Sequence, residues 1–198
     1  MNYIERGCNS ITMMSPETKL GDSRFISIKG PIDNELADSF AEQMLILNRE
    51  SSTEMITVLI NSTGGSVTQG LMMYDVIQGS LAPVRLICKG EAYSMAAILL
   101  ASGNPKYGRY ILPNSKVMIH EPLIQGGVGG KTSSIKSISD SLIETRLKLN
   151  GLLAKHTGHT IEEIDDATSY DHYFTAEEAV DYGLCDKVVD FGFLVKGE

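Results

Sequence analysis

The stretch from Ile56 to Gly103 constrains this chain more than any other. The β-branched run Ile56 to Ile60 closes in a turn-forming Asn61-Ser62-Thr63-Gly64-Gly65. A helical pattern starts at once, with Val67, Leu71 and Tyr74 on one face of about Ser66 to Gln78. The unit then repeats. A short apolar strand, Val84 to Cys88, leads through Gly90 to Ser94 and a helix rich in Ala, Met, Ile and Leu that ends near Gly103. Strands joined through helices are not hairpins; such crossovers connect parallel strands. The expectation is an α/β fold, with a largely parallel, buried sheet and helices packed on it.

The flanking segments extend this pattern. A strand is expected at about Arg24 to Lys29, stopped by Gly30-Pro31. Asp33 is placed to cap a helix that aligns Leu36, Phe40, Met44 and Leu47. Extended segments are expected at Tyr107 to Leu112 and Lys116 to His120. Gly126 to Gly130 (GGVGG) reads as a loop or hairpin tip. A long helix from about Thr132 to His156 comes next, with Ile135, Ile138, Leu142, Leu149 and Leu152 near heptad spacing. That stripe fits core packing and intersubunit packing equally well. Thr175 and Glu178 form a capping box for a short helix stopped by Gly183, before a last strand around Lys187 to Val189. Residues 1–22, with Pro16 and Gly21, read as a flexible N-terminal arm. Residues 23–198 read as a single domain without repeats.

Composition narrows the function. The 198 residues carry 17 Lys+Arg against 25 Asp+Glu, a formal charge of −8. Nucleic acid is a poor candidate ligand, since phosphate binding needs clustered positive charge. No apolar run is long enough to span a membrane, and the opening MNYIERGCNS lacks the pattern of a secretory signal. The three cysteines, Cys8, Cys88 and Cys185, are far apart and lack zinc-site spacing. A reduced, cytoplasmic chain without a metal is the expectation.

Four segments contain residue types suited to chemistry. In Lys89 to Ala97 (KGEAYSMAA), Ser94 stands where a strand meets a helix. It could present its hydroxyl at the carboxyl edge of a parallel sheet, or only cap the helix. In Asn61 to Val67 the paired glycines allow close backbone approach and bare N–H groups. That suits an oxyanion, a phosphate or simply a tight loop, and no GK[ST] is present after it. His120 ends an apolar strand in Leu112 to Pro122 (LPNSKVMIHEP). His156 and His159 sit at a helix end, where positive charge suits the dipole. Asp171 and His172 fall in a segment expected to be a loop. A serine, a histidine and an aspartate thus occur in turn on separate elements. A serine hydroxyl becomes a useful nucleophile when a histidine takes its proton and a carboxylate fixes that histidine's tautomer.

The succession NSTGG, GEAYSMAA, LPNSKVMIHEP and DHYFTAEEAVDYGLCDKV resembles the ClpP family, the proteolytic subunits of Clp ATP-dependent proteases, from about Arg24 to Val189. The resemblance implies Ser94 as nucleophile, His120 as general base and Asp171 as orienting acid. The backbone N–H groups of Gly65 and Met95 would form the oxyanion hole. It implies the ClpP/crotonase-type β-α superhelix with a protruding handle, a hairpin plus long helix at about 123–156. It also implies a homo-oligomer of heptameric rings stacked in pairs, inside which unfolded polypeptides are cut. An AAA+ unfoldase would feed that chamber and use the ATP, leaving this subunit without a cofactor. Two other readings stand beside this one. A crotonase-like acyl-CoA enzyme shares the fold and the closing pattern AEEAVDYGL, and a weakly active or regulatory paralogue subunit shares the assembly.

The chain departs from the family's usual residues at several places. Thr63 stands where proline usually precedes the two glycines, Tyr93 where a small residue precedes the nucleophile, Glu121 where glutamine is common, and Tyr170 where arginine is common. The resemblance implies that the unfoldase-docking positions, which usually carry aromatic side chains, fall here at Thr57, Leu59 and a position near Gly79. An atypical docking surface is therefore expected.

Overall fold

The structure is a computed structural model that describes residues 3–6, 11–124 and 131–196. Its elements in chain order are β1 (Tyr3–Arg6), β2 (Ile11–Met14), α1 (Pro16–Asp22), β3 (Phe25–Lys29), α2 (Asn34–Glu50), β4 (Ile56–Ser62), α3 (Val67–Gln78), β5 (Val84–Tyr93), α4 (Met95–Ala101), β6 (Arg109–Ile111), β7 (Lys116–Ile119), α5 (Thr132–Thr157), α6 (Ile161–Thr168), β8 (His172–Phe174), α7 (Ala176–Asp181), β9 (Lys187–Val188) and α8 (Phe191–Lys196).

The main sheet runs β3-β4-β5-β6-β9, and every adjacent pair in that path is parallel. Its residues alternate between two faces, as a pleated strand requires. Ile26 and Ile28 of β3, Ile56, Val58 and Ile60 of β4, and Leu86 and Cys88 of β5 fall in the main core cluster. Helices α2, α3 and α4 pack on that side. Asp33 caps α2 as expected, its carboxylate accepting from the Leu36 N–H at 2.9 Å, and Phe40, Met44 and Leu47 are buried. All seven residues of α4 are buried, which makes it the central helix of the fold.

Strand β5 outruns the five residues expected of it and reaches Tyr93. It bends at Gly90, where the N–H is held by Ser115 Oγ at 2.7 Å and the Glu91 N–H by Asn61 Oδ1 at 3.2 Å. Before the bend β5 pairs with β6; after it, Glu91 to Tyr93 pair in parallel with β7. Strand β8 then adds to β7 antiparallel. This second, smaller leaf carries the end of β5, and Ser94 after it, away from the main sheet.

Several expectations change. Where a flexible arm was anticipated, β1 and β2 pair antiparallel and α1 comes after them, its N-cap Ser15 accepting from the Thr18 N–H. His172, expected in a loop, lies in β8. Helices α6 and α8 were not anticipated. The C-terminal half of α5 buries Leu149 and Leu153, whereas Ile135 and Ile138 of its N-terminal half are exposed. The glycine-rich stretch Gly126–Gly130, expected as the handle's tip, lies outside the described residues, as does Cys8.

A partly buried ion pair ties the helix ends together. Arg109 is 5% exposed and binds Asp186 through Nε and Nη2, while its Nη1 donates to the carbonyls of Ala101, His156 and Gly183. These carbonyls lie at or just beyond the C-terminal ends of α4, α5 and α7, where helices leave acceptors unpaired. Among the described residues, no helix is long and apolar enough to cross a membrane.

Candidate active site

Ser94 occupies the single residue between β5 and α4. Its backbone is at φ 55° and ψ −121°, a region that L-residues rarely enter. Such a conformation costs on the order of 1–3 kcal/mol and persists only where the surroundings impose it. Here the Ser94 N–H donates to the Met118 carbonyl at 2.8 Å, and buried α4 fixes the other side. The Ser94 side chain makes no capping hydrogen bond. Of the two readings its position allowed, the cap is therefore not the one observed.

His120 directly succeeds β7. Its Nε2 lies 2.9 Å from Ser94 Oγ, and its Nδ1 lies 2.9 Å from Asp171 Oδ1. A carboxylate on Nδ1 keeps the proton there, so Nδ1–H donates to Asp171 and Nε2 is left to accept from the serine hydroxyl. The imidazole is mostly shielded, with 16% of its side-chain surface exposed against 59% for Asp171.

The Asn61 to Gly65 turn closes against this pair. A Cβ on Gly64 would fall 2.5 Å from the Tyr93 carbonyl oxygen and 2.9 Å from Ser94 Cβ, and Gly64 has φ +83°. Only glycine fits that approach. Parallel bridging with Ile32 holds the turn: the Ile32 N–H donates to the Gly64 carbonyl, and the Ser66 N–H donates to the Ile32 carbonyl. The N–H groups of Gly65 and Met95 find no acceptor among the described residues. A cleft of about 600 Å³ opens here, lined by Gly64, Gly65, Ser94, Met118, His120 and Leu123, among others.

This arrangement can move a proton from Ser94 Oγ to His120 Nε2 as the oxygen attacks a carbonyl carbon. Asp171 can stabilise the imidazolium that forms. A family model for Clp protease matches residues 9–191. The chain belongs to the Clp protease family. Membership makes it a peptidase of the ClpP type in general and agrees with the mixed α/β architecture and its parallel sheet. The match begins ahead of the resemblance read from the motifs and takes in β2 and α1.

The remaining residues with reactive side chains lie elsewhere. Burial pushes the thiols of Cys88 and Cys185 up to about 12, so both remain protonated thiols at neutral pH. His156 does not carry the charge expected at its helix end. Burial, then Lys155 and Arg109, pushes its pKa down to about 4, and its Nε2 lies 2.9 Å from Tyr74 Oη. His159 stacks on Tyr182 with ring centroids 4.1 Å apart and pairs with Glu163. Among the described residues no cluster of metal-ligating side chains occurs.

Helix α6 contributes to the site in a way the sequence reading missed. The Glu121 N–H donates to the Thr168 carbonyl at 2.8 Å, which fixes the residue after His120 to the helix that precedes Asp171. Thr160 and Glu163, a complete capping box, were the signal that could have revealed it.

Proposed function

We propose that this chain is a serine endopeptidase subunit that cuts unfolded polypeptides, with Ser94 as nucleophile, His120 as general base and general acid, and Asp171 as orienting acid. The observation that supports this most is the continuous path from Ser94 Oγ through the imidazole to Asp171, with 2.9 Å at each step. Ser94 Oγ attacks the scissile carbonyl while His120 takes its proton. His120 then returns the proton to the leaving amine, and water repeats the sequence on the acyl-serine. The Gly65 and Met95 N–H groups would hold the oxyanion, a role consistent with their lack of other acceptors. The cleft's apolar members, among them Met118 and Leu123, suit uncharged substrate side chains.

The same proposal includes stacked heptameric rings with α5 at a subunit contact, fed by an AAA+ unfoldase that consumes the ATP. The exposed Ile135 and Ile138 of α5 favour such a contact. Thr57 and Leu59, where the resemblance places unfoldase-docking aromatics, carry no aromatic ring and are only 6% and 5% exposed in the subunit. A crotonase-like acyl-CoA enzyme would need no serine–histidine pair. The deciding experiment measures cleavage of a small fluorogenic peptide by the wild-type chain and by Ser94→Ala. Loss of cleavage by a still-folded variant is expected; retained cleavage overturns the reading.

A further inference from the structure

We propose that Arg146, on α5, is a positioning residue that holds His120 against Asp171 through Glu121 and Asp165. The inference rests on the serine-peptidase reading above and asks what keeps its base and acid in register. The β7–β8 ladder that carries them has three residue pairs, from strands of four and three residues. Both triad members lie just beyond its end, where pairing no longer constrains the backbone.

Arg146 spans the gap. Its Nη1 donates to Glu121 Oε2 at 3.3 Å, and Glu121 is the residue next after His120. Its Nε is buried, makes no hydrogen bond, and faces Asp165 Oδ1 at 3.5 Å. Asp165 belongs to α6, the helix that leads into Asp171. The remaining contacts close a circuit. Asn150, buried on α5, donates from Nδ2 to Asp165 Oδ1 at 3.0 Å and accepts from Thr168 Oγ1 at 3.4 Å. The Thr168 carbonyl accepts from the Glu121 N–H. One guanidinium fork thus joins the segment bearing the base to the helix that leads into the acid, and anchors both to α5.

Arginine suits this task because its fixed fork serves two carboxylates at once; a lysine ammonium on its flexible stem cannot hold both in one geometry. The pairs are partly exposed, with 38% of the Arg146 side chain and 48% and 46% of its two partners accessible. Exposed pairs of this kind add little to stability. The consequence of losing them falls on geometry, so it belongs in kcat and not in the melting temperature.

The test uses the full chain with Arg146→Met, Arg146→Lys, Glu121→Ala and the double variant Arg146→Met/Glu121→Ala. Peptide cleavage, particle mass and thermal midpoint are measured on the same samples. A small misplacement of reacting groups can cost about 10²-fold. Arg146→Met is expected to lower kcat by about 10- to 100-fold, with KM within about twofold, at unchanged mass and midpoint. Arg146→Lys should recover part of the loss. The double variant should be no worse than Arg146→Met alone, since the two residues act as one unit. Wild-type kcat in Arg146→Met, or a loss that only accompanies dissociation of the particle, overturns the proposal. Ser94→Ala runs alongside: a wild-type chain without Ser94-dependent cleavage defeats the peptidase reading instead. A crystal structure of Arg146→Met then decides the positioning role by itself. His120 Nδ1 and Asp171 Oδ1 should separate beyond hydrogen-bond reach, and an unchanged 2.9 Å contradicts it.

Discussion

His120 and Asp171 stand opposite each other one step past the Ile119–His172 pair that ends the β7–β8 ladder, with 2.9 Å between Nδ1 and Oδ1. The antiparallel register thus continues as a side-chain hydrogen bond. Residues far apart in the chain meet because β8 selects β7 as its partner, and α6 supplies the turn that aligns them.

This relationship predicts the effect of Asp171→Asn. The amide presents a donor as well as an acceptor, and can favour the tautomer that places a proton on Nε2. His120 could then no longer accept from Ser94. Peptide cleavage should fall by on the order of 10³- to 10⁴-fold, with the fold retained because Asp171 is largely exposed. Steady-state kinetics with circular dichroism on the same sample check this.

The glycine turn gives a steric prediction. Gly64→Ala places a methyl group 2.5 Å from the Tyr93 carbonyl oxygen and 2.9 Å from Ser94 Cβ. The turn or the serine must move, and displacement near the reacting atom can cost about 10²-fold. A kcat within about twofold of wild type would show that the turn does not hold the site in place.

His156 predicts a pH effect on stability. Its folded pKa lies at about 4, below the usual histidine value, chiefly through burial. Between pH 6.5 and 4 the unfolded chain therefore binds a proton that the folded chain refuses. Stability is greatest above that window and falls as pH drops through it. Partial exposure and solvent screening limit the effect to on the order of 1 kcal/mol. His156→Gln should flatten the dependence of the thermal midpoint on pH across that range. An identical slope in the variant would assign the dependence to other groups.

Helix α5 predicts separable outcomes. Ile135→Asp with Ile138→Asp should break the proposed particle yet leave the subunit folded, since both side chains are exposed. Leu149→Asp should unfold it instead, because Leu149 is 6% exposed within the main core. Light scattering and circular dichroism distinguish the two. A double variant that keeps the wild-type particle mass would move the subunit contact away from this face.

Much of this was legible in the residues. Short apolar and β-branched runs bounded by turn residues located β3, β4 and the first half of β5, and the spacing of Phe40, Met44 and Leu47 located α2, because local pattern and burial agree there. Ser94 was legible only as one of two alternatives. Its positive φ and the absence of a capping bond arise from the bend at Gly90 and the pairing of β5 with β7, which no local pattern encodes. Strand β8 was missed because three residues, His172 to Phe174, are too few to show a period and owe their conformation to register. Helix α6 was missed because the charges of Glu162, Glu163, Asp165 and Asp166 obscured its buried face of Ile164 and Ala167. In the N-terminal segment, Pro16 and Gly21 read as breakers, yet proline at the first helical turn costs no hydrogen bond and α1 forms around it.

The central claim is that Ser94 is a nucleophile activated by His120. It is tested most directly by treating the folded chain with a fluorophosphonate and mapping the adduct by peptide mass spectrometry. The account predicts a single covalent adduct on Ser94, absent in Ser94→Ala and strongly slowed in His120→Ala. No adduct on Ser94 in protein that still cleaves peptide, or equal labelling in His120→Ala, would contradict it.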